Sequence, residues 1–504
     1  MASDVLFNNI PGNLLVPFFF AEINSGGSPY TNQPKLLLVG PKLAAGTAPA
    51  GAVYGPIQSA AEADAKFGVG SVLAWMYRIA RRNAPFQPLW AFPQSDPAGA
   101  AAAGSITFQA PGVTGAAILQ VLGRDVPFQV NAGDNASTVA ANAVIAINAL
   151  SLPVTAAQDG TTPAKVNVTC RHVGAIGNGL ELQVATDQSN VLTSTNTTVA
   201  AMAGGSGVPT LTTALANLGD DEYDYIASPY ADTSSLNALR DFLSDSAGRW
   251  SPMQQLYGHH QSALFGNLSS LVTLGHGRND QHTSIMGSQV SPTPVWEWAA
   301  AVAAKEAAHL STAPEMSRPL RSLPLDGVLP PRDRSLWFDK TDRQALYADG
   351  ISCYTVDLDG TVRIDRIVTT YKQSAVGVPD STFRAINTMF QSMFVARYMR
   401  SAVSNRHGRQ GLVDDNPYNL SELTTASDIR DTVVHAYEDL VALGVAENAD
   451  VFAQYVVVQR DPNYANRVNG YLPTDVVNQL DIFAANITIF EQYRTASGAV
   501  AIPA

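Results

Sequence analysis

Residues 347–372 read YADGISCYTVDLDGTVRIDRIVTTYK, two alternating runs around a turn. On the first run Ile351, Cys353, Thr355 and Asp357 point one way and Ser352, Tyr354 and Val356 the other, the period of a strand. Asp359-Gly360 supplies a tight hairpin turn, because glycine accepts positive φ without steric cost. The second run, residues 362–371, is rich in β-branched residues and sets Val362, Ile364, Arg366, Val368 and Thr370 on one face. The stretch is therefore a β-hairpin followed by a strand built to be paired, and none of its residues reads as catalytic.

Working outward, residues 35–39 (KLLLV) form a strand ending at Gly40, residues 59–83 a helix with Phe67, Val72, Trp75, Met76 and Ile79 at helical spacing, and residues 89–92 a second strand. From Pro97 to about Gly207 the composition shifts to Ala, Gly, Thr, Val and Asn in short alternating runs such as 118–122 and 165–170. One helix, residues 137–150 with Ser137 as N-cap, interrupts them, and the segment is expected to be an inserted β-rich domain. Strand–helix alternation then resumes: strands at 223–227, 254–258 and 283–289, helices at 234–246, 264–274 and 294–309. Beyond the Pro-rich residues 318–331 lie the hairpin, helices at 381–404 and 427–443, and a closing strand pair, 452–459 with 481–490.

The expected fold is a multidomain α/β and α+β protein: a mixed sheet with covering helices, an inserted β-rich domain, and a C-terminal α+β domain with extended N- and C-terminal arms. Its divisions are an arm at 1–33, an α/β core from 34–95 and 208–317, an inserted outer domain at 96–207, and a C-terminal domain at 318–504 whose arm starts near 480. A chain of 504 residues is long enough for three or four domains of the usual ~150 residues. No repeat of fixed period is present.

Against 31 Lys and Arg stand 43 Asp and Glu, a net charge of −12 that disfavours a sequence-independent grip on nucleic acid. Charged residues make up 15% and hydrophobic ones 46%, so much of the surface is expected to be covered by partners. Cys170 and Cys353 alone offer no disulfide framework and are read as inert buried thiols in a reducing compartment. The apolar run at 14–21 is shorter than a membrane span and follows no basic segment, so neither a signal peptide nor direct membrane insertion is expected.

Chemistry is sparse. Gly174, Gly177 and Gly179 lack the order of a phosphate-cradling loop, and residues 40–46 carry no P-loop Lys-Ser/Thr. His259, His260, His276 and His282, with Asp280, are candidate metal ligands at a spacing that matches no compact motif; strand-end or interface histidines are the favoured reading. Asp220-Asp221-Glu222 and Asp414-Asp415 lack calcium-loop spacing and read as solvated loops. No G-x-S-x-G elbow occurs. No catalytic residue, cofactor or metal is therefore assigned. Arg397, Arg400, Arg406, His407 and Arg409 gather at the end of the long helix as a local basic patch in an acidic chain, or as the cationic last turn that a helix dipole favours.

The DGI-hairpin-RIDRIVTTY stretch closely resembles the contractile tail sheath proteins of Mu-like phages, and the similarity extends in pattern to FNNIPG at 7–12 and LDIFAANITIFE at 480–491. The resemblance implies a virion structural protein, not an enzyme: stacked hexameric rings of a helical homo-oligomer around a tail tube, assembled in the host cytoplasm. Contraction would drive the tube through the host envelope for genome ejection, with baseplate and tail terminator proteins as further partners. It also implies intersubunit arms carrying Val5, Phe7 and Ile10 at one end and Ile487, Ile489 and Phe490 at the other. An acceptor sheet would hold Ser352, Tyr354, Val356, Val362, Ile364 and Val368, and Arg397, Arg400, Arg406 and Arg409 would face the tube. The sheath of a headless bacteriocin-like particle and, in another class, a soluble α/β enzyme are the alternatives.

Overall fold

A computed structural model describes residues 34–187 and 189–489. The arm expected at residues 1–33, with Val5, Phe7 and Ile10, and the residues from Phe490 onward lie outside the described residues. The chain opens with β1 (Leu36–Pro41), α1 (Ala60–Phe67), α2 (Val72–Asn83) and β2 (Leu89–Gln94). Where one helix was expected over 59–83 there are two, because Gly68 (φ 92°) and Gly70 (φ 79°) turn the backbone between them. Ser71 then caps α2 by accepting from the Ala74 amide.

A β-rich unit follows: β3 (Ala101–Phe108), β4 (Gly115–Val121), β5 (Arg124–Val130), α3 (Ala136–Ala149), β6 (Val154–Gln158), β7 (Lys165–Val173), β8 (Leu182–Val184) and β9 (Thr197–Ala203). Its antiparallel sheets run β6-β7-β3-β9 and β5-β4-β8. The cap of α3 is Asn135, two residues before the expected Ser137. Arg124 fixes the unit to the core through Nη2, which donates to both carboxylate oxygens of the buried Glu297 (2.9 and 3.0 Å), and Arg332 grips Glu181 as a fork through Nε and Nη2 (2.7 and 2.9 Å).

The chain returns through α4 (Leu211–Leu215), β10 (Tyr225–Ala227), α5 (Thr233–Leu243), β11 (His259–Phe265), α6 (Leu268–His276), β12 (Thr283–Ser288) and α7 (Val295–His309). The central sheet is wholly parallel in the order β12-β11-β10-β1-β2, so the strand order reverses between β1 and β10. Both faces are covered, which explains the unbroken burial of Leu36, Leu37, Leu38 and Val39. The Ala-rich α7 packs against α2 and β11 with Trp296 and Trp298 fully buried. The strand expected at 254–258 is a loop with Gln255 in the left-handed region (φ 53°), and pairing begins at His259. Two buried imidazoles disguised that strand.

The last part comprises α8 (Lys340–Ala348), β13 (Cys353–Val356), β14 (Val362–Arg366), α9 (Ile386–His407), β15 (Gly411–Leu412), β16 (Leu423–Thr424), α10 (Ala426–Ala442), α11 (Ala449–Tyr455), β17 (Val457–Arg460) and β18 (Val468–Tyr471). The expected pairing of 452–459 with 481–490 is corrected: residues 449–455 are helical, β17 pairs with β18, and residues 481–489 form no strand. Tyr437 and Phe452 stack at 3.8 Å and seat α11 on α10, which sets where β17 starts.

Candidate functional site

The hairpin forms as its sequence dictates. Gly350 (φ 74°) ends α8 and admits the chain beside Thr370, where a β-carbon would lie 2.7 Å from the Thr370 Cα. The turn closes with the Gly360 amide donating to Asp357 O and the Asp357 amide to Thr361 O, both 3.0 Å, with Gly360 at φ 87°. Yet neither edge is open. Ser352 donates to Ile285 O (2.9 Å) and accepts from the Gly287 amide, joining the hairpin to β12. On the other side Ser322 and Leu325 donate to Ile364 O and Val362 O, while the Ile364 amide donates to Leu323 O. The chain beyond β14 does not extend the hairpin either: the Thr370 amide donates to Thr283 O, and Ser352 Oγ holds Val368.

The expected acceptor residues are thus interior. Ser352, Tyr354, Val362, Ile364 and Val368 are buried in their own chain and Val356 half-buried. The reading of this hairpin as an open acceptor is corrected: alternation reports burial, and here the chain itself supplies the cover.

A second hairpin does present edges. The β17–β18 pair is a two-stranded sheet backed by α10, with Tyr455, Val457, Tyr464 and Tyr471 exposed. Its loop is braced by Asp461, which accepts from the Asn463 and Tyr464 amides and from Asn469; these bonds, that of Asn469 foremost, hold its carboxyl below the usual range. The spread of polar residues in 457–471 hid it from a pattern search.

Beside it runs the chain's last described segment. Val477 donates to Val445 O (3.1 Å), Gln391 Nε2 to Val477 O (2.9 Å), and Asp481 pairs with Arg366 at 2.6 Å. Past that point Ile482, Phe483, Ile487 and Ile489 are 78–88% exposed. Four large apolar side chains standing in water on an unpaired segment form an interaction element without its partner.

The basic cluster separates into two kinds of arginine. Arg397 is not on the surface: it is buried, bonded to Asp224, 2.6 Å from Glu222 and over the Tyr257 ring. A tube-facing Arg397 is therefore corrected. Glu222, expected in a solvated loop, is one of its partners. Arg400, Arg406 and Arg409 are exposed. In a chain with so few charges, acidic 220–224 and basic 397–409 were the pair to match.

The histidines do not converge. His259 and His260 are buried against Ser284 (3.0 Å) and Ser228 (2.8 Å), His282 contacts Asp245, and the exposed His276 contacts Asp349. Burial first, then the neighbouring Arg278, pushes His260 down to about 3; burial, then His282 and His260, holds His259 well below its ordinary value. No group of three metal-ligating side chains occurs among the described residues, and no described helix is long and apolar enough to cross a membrane. Both cysteines are buried free thiols, and burial pushes Cys170 up to about 11.

Residues 204–370 match the phage tail sheath protein central domain, and residues 378–490 match the phage tail sheath C-terminal domain. Among solved structures, the chain is similar to a sheath tail protein from Desulfitobacterium hafniense (10% identity, 92% of this chain and 97% of that one, TM-score 0.48). It is also similar to the contracted helical sheath of the anti-feeding prophage (11% identity, 95% and 99%, TM-score 0.45). A Mu-like prophage FluMu tail sheath protein of Haemophilus influenzae is 30% identical over 489 residues, covering 95% of this chain and 98% of the relative. With that identity along almost the whole length, and both sheath domains matched, this chain belongs to the phage tail sheath family of structural proteins.

Proposed function

We propose that the chain polymerises, as stacked hexameric rings around a tail tube, into a sheath whose contraction drives the tube through the host envelope. The observation that carries this reading is the two-stranded β17–β18 sheet with exposed apolar side chains, next to a segment that leaves the core at Asp481 with Ile482, Phe483, Ile487 and Ile489 in solvent. A strand donated by a neighbour would extend β17 or β18 through main-chain hydrogen bonds and fill pockets with alternate side chains. The acceptor is thereby β17–β18 rather than β13–β14. Donors in this reading are the segment beyond Asp481 and the N-terminal 33 residues, and strands exchanged in this way would let rings turn without parting.

Arg400, Arg406 and Arg409 at the end of α9 are the tube-facing cations in this reading. They would meet an acidic tube surface in a contact that salt weakens. Assembly takes place in the host cytoplasm, with baseplate and terminator proteins closing the two ends.

Negative-stain electron microscopy of the full chain, a chain lacking residues 1–20 and a chain ending at Asp481 tests this. Striated hollow tubes from the full chain and none from the shortened ones are expected. Equal tubes from all three would remove the strand-exchange reading.

A further inference from the structure

A cavity of about 470 Å³ opens at the carboxyl ends of the central strands, beside the point between β1 and β10 where strand order reverses. The core domain and the β7–β8 loop line it together, with Ile176, Leu180, Tyr230, Phe265, Val290 and Trp296 making it mostly apolar. Asp232 lies in its wall. Asp232 caps α5 by accepting from the Ser235 amide and is the acidic residue of the lining. The lining holds no Lys or Arg.

At the opposite, amino end of the same sheet stands its complement. Phe86 is 97% exposed, yet its loop is not loose. Arg81 Nη1 donates to Pro85 O (2.8 Å) and Gln87 O (2.9 Å), and Gln87 Nε2 donates to Pro34 O (2.6 Å), so both neighbours of Phe86 are tied down. With the backbone on both sides held, docking Phe86 costs little backbone ordering, and a large exposed aromatic side chain suits an anchor residue. The exposed Arg82 and the braced Arg81 surround it with positive charge.

We propose that the cavity receives Phe86 from a second copy of this chain, with the arginine collar meeting the Asp232 carboxylate at the cavity. The six-residue β2 separates the two sites by about 20 Å, so a chain cannot fill its own cavity. Because knob and cavity are different surfaces at opposite ends of one sheet, the contact is heterologous and passes head to tail from one copy to the next. This inference rests on the assembly reading but concerns core-to-core contact, independent of the arms.

The test is the double variant Pro85→Cys with Val290→Cys, which keeps the Phe86 ring and places a thiol on its exposed neighbour, beside each single variant, under mild oxidation. Val290 is 61% exposed at the cavity, and both native thiols are buried. A ladder of disulfide-linked oligomers from the pair, against at most dimers from the singles, is expected. Phe86→Asp, with unchanged melting, should raise the concentration needed for assembly by roughly tenfold or more, the scale of one desolvated aromatic side chain. No ladder from the pair, or wild-type assembly by Phe86→Asp, overturns the contact, as do cross-links from position 85 that map to residues 1–33. If the wild-type chain forms no tubes, the assembly reading falls; a ladder from the soluble pair variant still supports the contact, and its absence still overturns it.

Discussion

The Arg366 guanidinium lies 2.6 Å from the Asp481 carboxylate, joining β14 to the C-terminal segment at the point where that segment leaves the core. Arg321 adds a bond to Asp481 O at 3.1 Å. The pair therefore sets the origin and heading of the exposed residues 482–489. Its two side chains are 33% and 28% exposed, so its worth to folding is small while its worth to geometry is not.

Asp481→Ala should change unfolding free energy by no more than about 1 kcal/mol, as expected for a solvent-screened pair. It should nonetheless shorten or abolish tubes, because the segment loses its fixed departure. Chemical denaturation and tube lengths measured on one preparation separate the two effects. A large stability loss with normal tubes would contradict this account.

Arg397→Ala is expected to do the reverse. Asp224 is buried, and truncating its partner strands a carboxylate inside the core at a cost of about 3–5 kcal/mol. Arg406→Ala and Arg409→Ala, at exposed positions, should stay within about 0.5 kcal/mol of wild type. Their effect belongs on tube binding at low salt. Urea titrations of the three variants decide whether buried and exposed arginines divide as described.

Stability should peak near neutral pH, with opposed slopes on its two sides. His260, near 3 when folded and about 6.5 unfolded, binds its proton only on unfolding in that window, so its stabilisation is present above about 6.5 and is lost as pH falls toward 3. His259 acts in the same direction. Glu306 is raised by burial to about 8 from an ordinary 4.5, so its stabilisation is complete below about 4.5 and lost as pH rises toward 8. Glu306→Gln should therefore melt higher than wild type at pH 8, with the advantage shrinking by about 1.4 kcal/mol per unit as pH falls toward 4.5. Thermal melts at pH 5 and pH 8 read the sign directly.

Ile487→Asp and Ile489→Asp should leave melting of the isolated chain unchanged, since both side chains are more than 80% exposed. If residues 482–489 are donated to a neighbour, each should lower assembly by an order of magnitude or more, as a charge in a desolvated interface does. Light scattering against concentration measures it. Unaltered assembly by the double variant would mean that this segment is not the donor.

The hairpin illustrates what could be seen in advance. Asp359-Gly360 and the alternation on either side place the turn and both strands, because turn chemistry and side-chain period are local. The same alternation could not tell a surface awaiting a partner from one already covered. Residues 322–325 and β12 cover it, and they lie far off along the chain. The loss of β11 from the sequence pattern has a related cause: His259 and His260 read as polar, and only burial beside Ser284 and Ser228 makes them neutral core residues.

By itself the amino-acid sequence determined the alternating strand–helix order of the core, the break into a β-rich segment after Pro97, the tight turn at Gly360 and the family likeness carried by residues 347–372. These rest on periodicity, backbone permissiveness and composition, which act over a few residues. Only the tertiary structure decided that Arg397 is an interior ion and Arg406 a surface one, that β13–β14 is closed while β17–β18 is open, and that an exposed Phe86 and an apolar cavity occupy opposite ends of one sheet. Each of those depends on which distant segments arrive as neighbours, since exposure and charge pairing belong to the packed chain and not to any stretch of it.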